Sequence, residues 1–149
     1  MSSIRLSEAK NRLQRLTLQL LQNEVERIIT NDPEIIQEKV DEFKIGELPD
    51  GSPIGQYRNE NYRLFKIQKN PLAGGNVDLI LTGAFTERLF PERINKNRYK
   101  FNSTDSKTAN LKAKYGENIM GLNEKTFLDI QKTKYAPLLI RRIKQITNL

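Results

Sequence analysis

The chain predicts an α+β fold, with helices at both ends around a small antiparallel sheet. Three observations carry this. Apolar residues recur at three- and four-residue spacing from Leu13 to Ile29, and apolar positions return between Phe127 and Ile146. Tyr99 and Phe101 alternate with Arg98, Lys100 and Asn102, the period-two pattern of a half-exposed strand. Breaks rich in glycine and proline separate these stretches. At 149 residues the simplest organisation is one domain over 1–149. It divides into a helical part at 1–45, loops at 46–56 and 69–76, and an α+β body at 57–149.

The elements follow in order. A long first helix is expected from about Ser7 to Thr30, its apolar face made by Leu13, Leu16, Leu20, Leu21, Val25, Ile28 and Ile29. Leu18 widens that face, so the helix should pack on more than one neighbour. A second helix starts with Asp32 as cap, Pro33 at the first helical position and Glu34 at the positive end of the dipole; Gly46 ends it. GELPDGSPIGQYR is a connecting loop marked by Asp50-Gly51 and Ser52-Pro53. Tyr57, Tyr62, Leu64, Phe65 and Ile67 form an ordered segment whose type the pattern leaves open. After the break KNPLAGGN comes GNVDLILTGAFTERLF. Here Leu79–Leu81 should enter the core, and Thr82 should cap a helix near Gly83, the glycine allowing a close turn. Phe85, Leu89 and Phe90 should share a face of that helix. Lys107–Lys114 predicts a short helix ending at Gly116. Asn123 should cap a last helix over Glu124–Ile146, which Pro137 should kink or split.

Composition removes whole classes of chemistry. With no cysteine there is no disulfide or thiolate, and with no histidine there is neither the usual general base near neutral pH nor the commonest metal ligand. No apolar run reaches the ~18 residues of a membrane span, and MSSIRLSEAKNR lacks the apolar core of a secretory signal. The net charge of +7 is uneven: residues 1–50 hold 7 basic and 10 acidic side chains, while 51–100 and 101–149 each hold 9 and 4. A basic C-terminal two-thirds suits an anionic partner or a charge-complementary protein neighbour, although such an excess also serves solubility alone.

Three candidate sites arise. KNPLAGGN lacks the ending of a phosphate loop and is a turn, so no cofactor is expected. Asp78 with Asp105-Ser-Lys107 fits, loosely, the two carboxylates and lysine of a metal-dependent nuclease; the short pattern is permissive, and Asp78 serves better as a local hydrogen-bond acceptor. The basic residues Arg93, Lys96, Arg98, Lys100, Lys107, Lys112 and Lys114, interleaved with Tyr99, Phe101 and Tyr115, suit a DNA-binding module tracking a phosphate backbone. The alternation places Tyr99 and Phe101 in the core, leaving the cations to face DNA or an assembly partner. Arg141, Arg142 and Lys144 are accounted for by the dipole at a helix C-terminus.

Taken in order, GNVDLILTGAFTERLF, FNSTDSKTANLKAKYGENIMGLNEK and YAPLLIRRIKQI resemble the small virion-morphogenesis proteins of tailed bacteriophages, the head–tail joining, neck and tail-completion group. The resemblance covers roughly 60–149 and rests on Leu81-Thr82-Gly83-Ala84-Phe85 and on the apolar entry Pro137-Leu138-Leu139-Ile140 of the closing helix. It implies a non-enzymatic structural protein, assembled in the host cytoplasm and located in the virion. Such a protein forms a homo-oligomeric ring against portal, adaptor or tail-tube proteins, with DNA in its lumen and no membrane. The loops at 46–56 and 69–76 would then be arms that order on docking.

Overall fold

Helices dominate the computed structural model, which describes residues 5–80, 83–96 and 98–148. With one two-stranded antiparallel sheet, the class is α+β as expected. Composition sets 1–45 against 57–149, but packing groups the chain differently. Residues up to Asn31 and those from Asp129 onward make one compact unit, and Asp32–Leu128 make another.

In the first unit the expected long helix is divided into α1 (Leu6–Leu13) and α2 (Leu18–Thr30). Thr17 is the cause. Its backbone is extended, and its hydroxyl oxygen accepts from the Leu20 amide at 3.1 Å, so a capping residue inside the apolar period starts a new helix. Near the C-terminus, α7 (Glu124–Ile130) passes through a wider π turn at 131–135 into α8 (Ala136–Thr147). Pro137 explains it: proline has no N–H for the Thr133 carbonyl and its ring crowds that carbonyl, so the ladder widens in the turn before it. The expected interruption therefore lies just N-terminal to the proline.

The interior of this unit is thin. Ile29, Ile130 and Tyr135 are its buried apolar residues, beside buried Gln22, Glu24 and Thr147. Polar clamps do much of the joining. The Glu24 carboxylate accepts from Arg27 at 3.1 and 3.2 Å and pairs with Arg142 of α8 at 3.2 Å. Burial by itself would raise the Glu24 pKa, but the two guanidinium groups outweigh it and hold it below the usual carboxylate value. At the other end Arg12 donates to the Asn148 carbonyl at 2.7 Å.

The second unit opens with α3 (Pro33–Ile45), where the Asp32 side chain accepts from the Glu34 amide at 3.0 Å. Gly46 ends it in a left-handed conformation, φ 73°. A Cβ there would stand 2.9 Å from the Val77 carbonyl oxygen, so only glycine fits. The segment of open type is a helix, α4 (Glu60–Lys69), capped by Asn59. The loops at 46–56 and 69–76 are not free arms. Ile54 donates to Gly46 and Val77 to Gly55, each at 2.9 Å, Gln56 bridges to Asn76, and Ile54 and Ala73 are buried.

Gly83 precedes the one-turn α5 (Ala84–Glu87) with φ 75°, the close turn expected of it. The proposed cap Thr82, like Leu81, lies outside the described residues. That helix is shorter than the apolar spacing suggests. Leu89 and Phe90 already belong to β1 (Leu89–Asn95), so Phe85, Leu89 and Phe90 do not share a helical face. Hydrogen-bonded pairing with β2 (Arg98–Ser103) wins over helix continuation: Leu89 faces Ser103 and Pro91 faces Phe101. Each strand of a two-stranded sheet is an edge, which tolerates the proline. Phe101 is buried, as its alternation predicts, whereas Tyr99, expected beside it in the core, is only half-buried and borders a surface hollow. Then come α6 (Thr108–Tyr115), ended by Gly116, and the cap Asn123, whose side chain accepts from the Thr126 amide at 3.1 Å and donates to Pro49 at 2.9 Å. Phe43, Val77, Phe85, Phe101, Ile119 and Met120 form the centre, with the Phe43 and Phe85 rings 5.6 Å apart.

Candidate functional site

Asp78 is the only acidic residue in the apolar run from Val77 to Phe90 apart from Glu87, and it is buried. Its carboxylate takes the Lys66 ammonium of α4 and the Asn70 amide at 3.0 Å, while Asn70 also donates to the Lys44 carbonyl at 2.6 Å. One side chain thus ties the end of α3, the end of α4 and the segment entering the core. The Tyr57 hydroxyl accepts from the Asp78 amide at 3.2 Å. Burial pushes its pKa up to about 12, so the phenol stays neutral.

Above this knot lies an open cleft of about 540 Å³ within the second unit. Its apolar floor is Leu79, Phe85 and Leu111. Helix α6 turns Lys107, Leu111 and Lys114 to the cleft at spacings of four and three. The start of α4 and the residues before it bring Tyr57, Arg58 and Tyr62. Tyr115 completes the wall. Tyr57 and Tyr62 meet edge to face at 5.1 Å.

The seven basic residues singled out from the sequence do not form one face. Arg93 donates to the Asn95 carbonyl at 3.0 Å and the Lys96 carbonyl at 3.3 Å, fastening the hairpin end. Lys100 pairs with Glu92 across the strands at 3.7 Å, and Lys112 pairs with Glu117 at 3.5 Å. Lys96 and Arg98 are exposed on the hairpin, where Arg98, Tyr99 and Lys100 border a smaller hollow of about 350 Å³ that also holds Asp50 and Glu117. Only Lys107 and Lys114 come together in the larger cleft. Arg58, Tyr57 and Tyr62 are the partners that sequence reasoning missed. The stretch QYRNENY carries the same mixture of base and aromatic ring as RYKF, and that was the available signal.

The carboxylates of the nuclease pattern have other work. Asp78 is saturated by Lys66 and Asn70, while Asp105 accepts from the Lys107 amide at 2.9 Å and faces Arg88 at 3.6 Å. Among the described residues no group of three or more acidic side chains is placed to hold a metal ion, and no helix is long and apolar enough to cross a membrane. Compared with protein families, curated proteins and solved structures, the chain finds no match.

Proposed function

We propose that the chain is a structural protein of a tailed-bacteriophage virion, of the head–tail connector, neck or tail-completion type. It acts as one subunit of a homo-oligomeric ring joining portal or adaptor to the tail, catalyses no reaction, and resides in the virion after assembly in the host cytoplasm. The observation that carries this reading is the apolar surface of the first unit. Leu6 is 88% exposed, Leu18 67%, Ile140 53% and Leu13 50%, while three apolar residues are buried in that unit. Burying a leucine is worth roughly 1.5–3 kcal/mol, so covering these four side chains with another protein surface would add several such increments to the stability of the helices. A ring of identical subunits supplies such surfaces by symmetry.

The test is the oligomeric state of the purified full chain, by light scattering coupled to size exclusion, for the native sequence and for Leu6→Glu combined with Leu18→Glu. The reading expects a defined oligomer that the double substitution converts to a folded monomer. A native chain that stays monomeric at high concentration contradicts it.

A further inference from the structure

The cleft of the second unit has a use that ring assembly does not require. Of its charged lining residues, Lys66 and Asp78 neutralise each other in their buried pair. Arg58, Lys107 and Lys114 remain, and none has an ion-pair partner among the described residues. Three cations around one hollow without a counter-charge favour an anionic occupant. The rest of the lining says what else that occupant carries. Tyr62 is 41% exposed, its ring set by edge contact with Tyr57, and Tyr57 is itself fixed through its hydroxyl to the Asp78 backbone. The Lys114 ammonium stands 5.2 Å over the Tyr115 ring. The site thus offers flat apolar faces beside positive charge, over a floor of Leu79, Phe85 and Leu111, and at about 540 Å³ it is far larger than a phosphate needs.

We propose that this cleft binds a nucleotide unit whose base is unstacked, with Arg58, Lys107 and Lys114 on the phosphate and Tyr62 and Tyr115 on the base. Aromatic faces with flanking cations are the arrangement by which proteins hold single-stranded nucleic acid without reading sequence. A duplex keeps its bases stacked inside and presents only phosphate to such a site. The same chemistry is offered by a free mononucleotide and by a single strand, and the experiment separates the two. Nothing in this proposal rests on ring formation: a monomer that binds would end the assembly reading and leave this one standing.

The experiment uses the full chain and fluorescence anisotropy of a labelled short oligo-dT, competed by unlabelled oligo-dT, a duplex of equal length, dTMP and inorganic phosphate. The expected result is salt-dependent binding of the single strand at least about tenfold tighter than of the duplex. Competition by dTMP then assigns the site to a free nucleotide, and failure of dTMP to compete assigns it to a strand. Lys107→Glu with Lys114→Glu, and separately Tyr62→Ala, should each weaken binding about tenfold or more. These side chains are exposed, so circular dichroism should remain that of the native fold. Lys96→Glu, the same kind of charge change on the hairpin, should alter binding less than about twofold. The proposal is overturned by absence of binding, by equal affinity for duplex and single strand, by inorganic phosphate competing as well as unlabelled oligo-dT, or by Lys96→Glu weakening binding as much as the cleft variants.

Discussion

Each of the two units of this molecule is stabilised within itself by different means. Asp32–Leu128 buries Ile35, Phe43, Ile54, Ala73, Val77, Leu79, Phe85, Leu89, Phe101, Ile119 and Met120, and sets one buried ion pair in their midst. Among the described residues the helical unit buries Ile29, Ile130 and Tyr135 and relies on Glu24 with its two arginines; both units leave large apolar side chains exposed, Leu6 and Leu18 in the helical one and Leu72 and Leu128 in the other. The first arrangement resembles a finished domain interior. The second has a smaller apolar interior, in which polar clamps join the helices, and a covering partner surface would add the apolar burial that is the main favourable term in folding.

Substitutions probe that difference, beginning with the largest effect. Asp78→Asn should cost about 3–5 kcal/mol by urea denaturation, because it leaves the Lys66 ammonium buried without a counter-charge. A loss near zero would mean the ion pair is not what locks α4 to the core segment.

Next is Lys39, fully buried with its ammonium 4.4 Å over the Phe43 ring and 3.8 Å from Glu42, yet without a hydrogen-bond partner among the described residues. Burial lowers its pKa from 10.5 to about 8, Glu42 opposing the shift. Between those two values the unfolded chain holds this proton and the folded chain does not. Stability should therefore rise with pH across that window, by up to about 3 kcal/mol in total. Lys39→Met should abolish the rise and stabilise the protein by about 1–3 kcal/mol near neutral pH. A pH profile identical in the native chain and Lys39→Met would contradict this. Glu42 works on the acid side with the opposite sign. Burial raises its pKa above 4.5, so its contribution to stability falls as pH rises from that value.

In the helical unit Glu24→Gln should have a smaller effect, about 1 kcal/mol, since the Arg27 partner is well exposed. Hydrogen exchange should quicken in α2 and α8 and leave the amides of α3 and β1 unchanged. The lowered pKa of Glu24 means its contribution is present above the usual carboxylate value and is lost as pH falls through the folded one. The smallest effect belongs to Thr17→Ala, which removes the exposed cap of α2 and should cost about 0.5 kcal/mol, confined to amides at the start of that helix.

The same contrast explains what could be read in advance. Local signals were legible: Asp32 with Pro33, Gly46, Gly83, Asn123, the alternation at Tyr99–Phe101 and the disturbance at Pro137 all act within one or two turns of chain. Elements decided by competition were not. Apolar spacing from Leu13 to Ile29 concealed the break at Thr17, and Phe85–Phe90 read as a helix because pairing with Ser103 is invisible from the segment itself. The candidate site was half visible. Lys107 and Lys114 were named, but Arg58, Tyr57 and Tyr62 lie about fifty residues earlier in the chain and join them only in the folded cleft.

What remains decisive is whether the exposed leucines of α1 and α2 meet other copies of the chain. Electron microscopy of the native protein at high concentration tests this most directly. Closed rings of a single size are the predicted result, and a field of isolated subunits would contradict it.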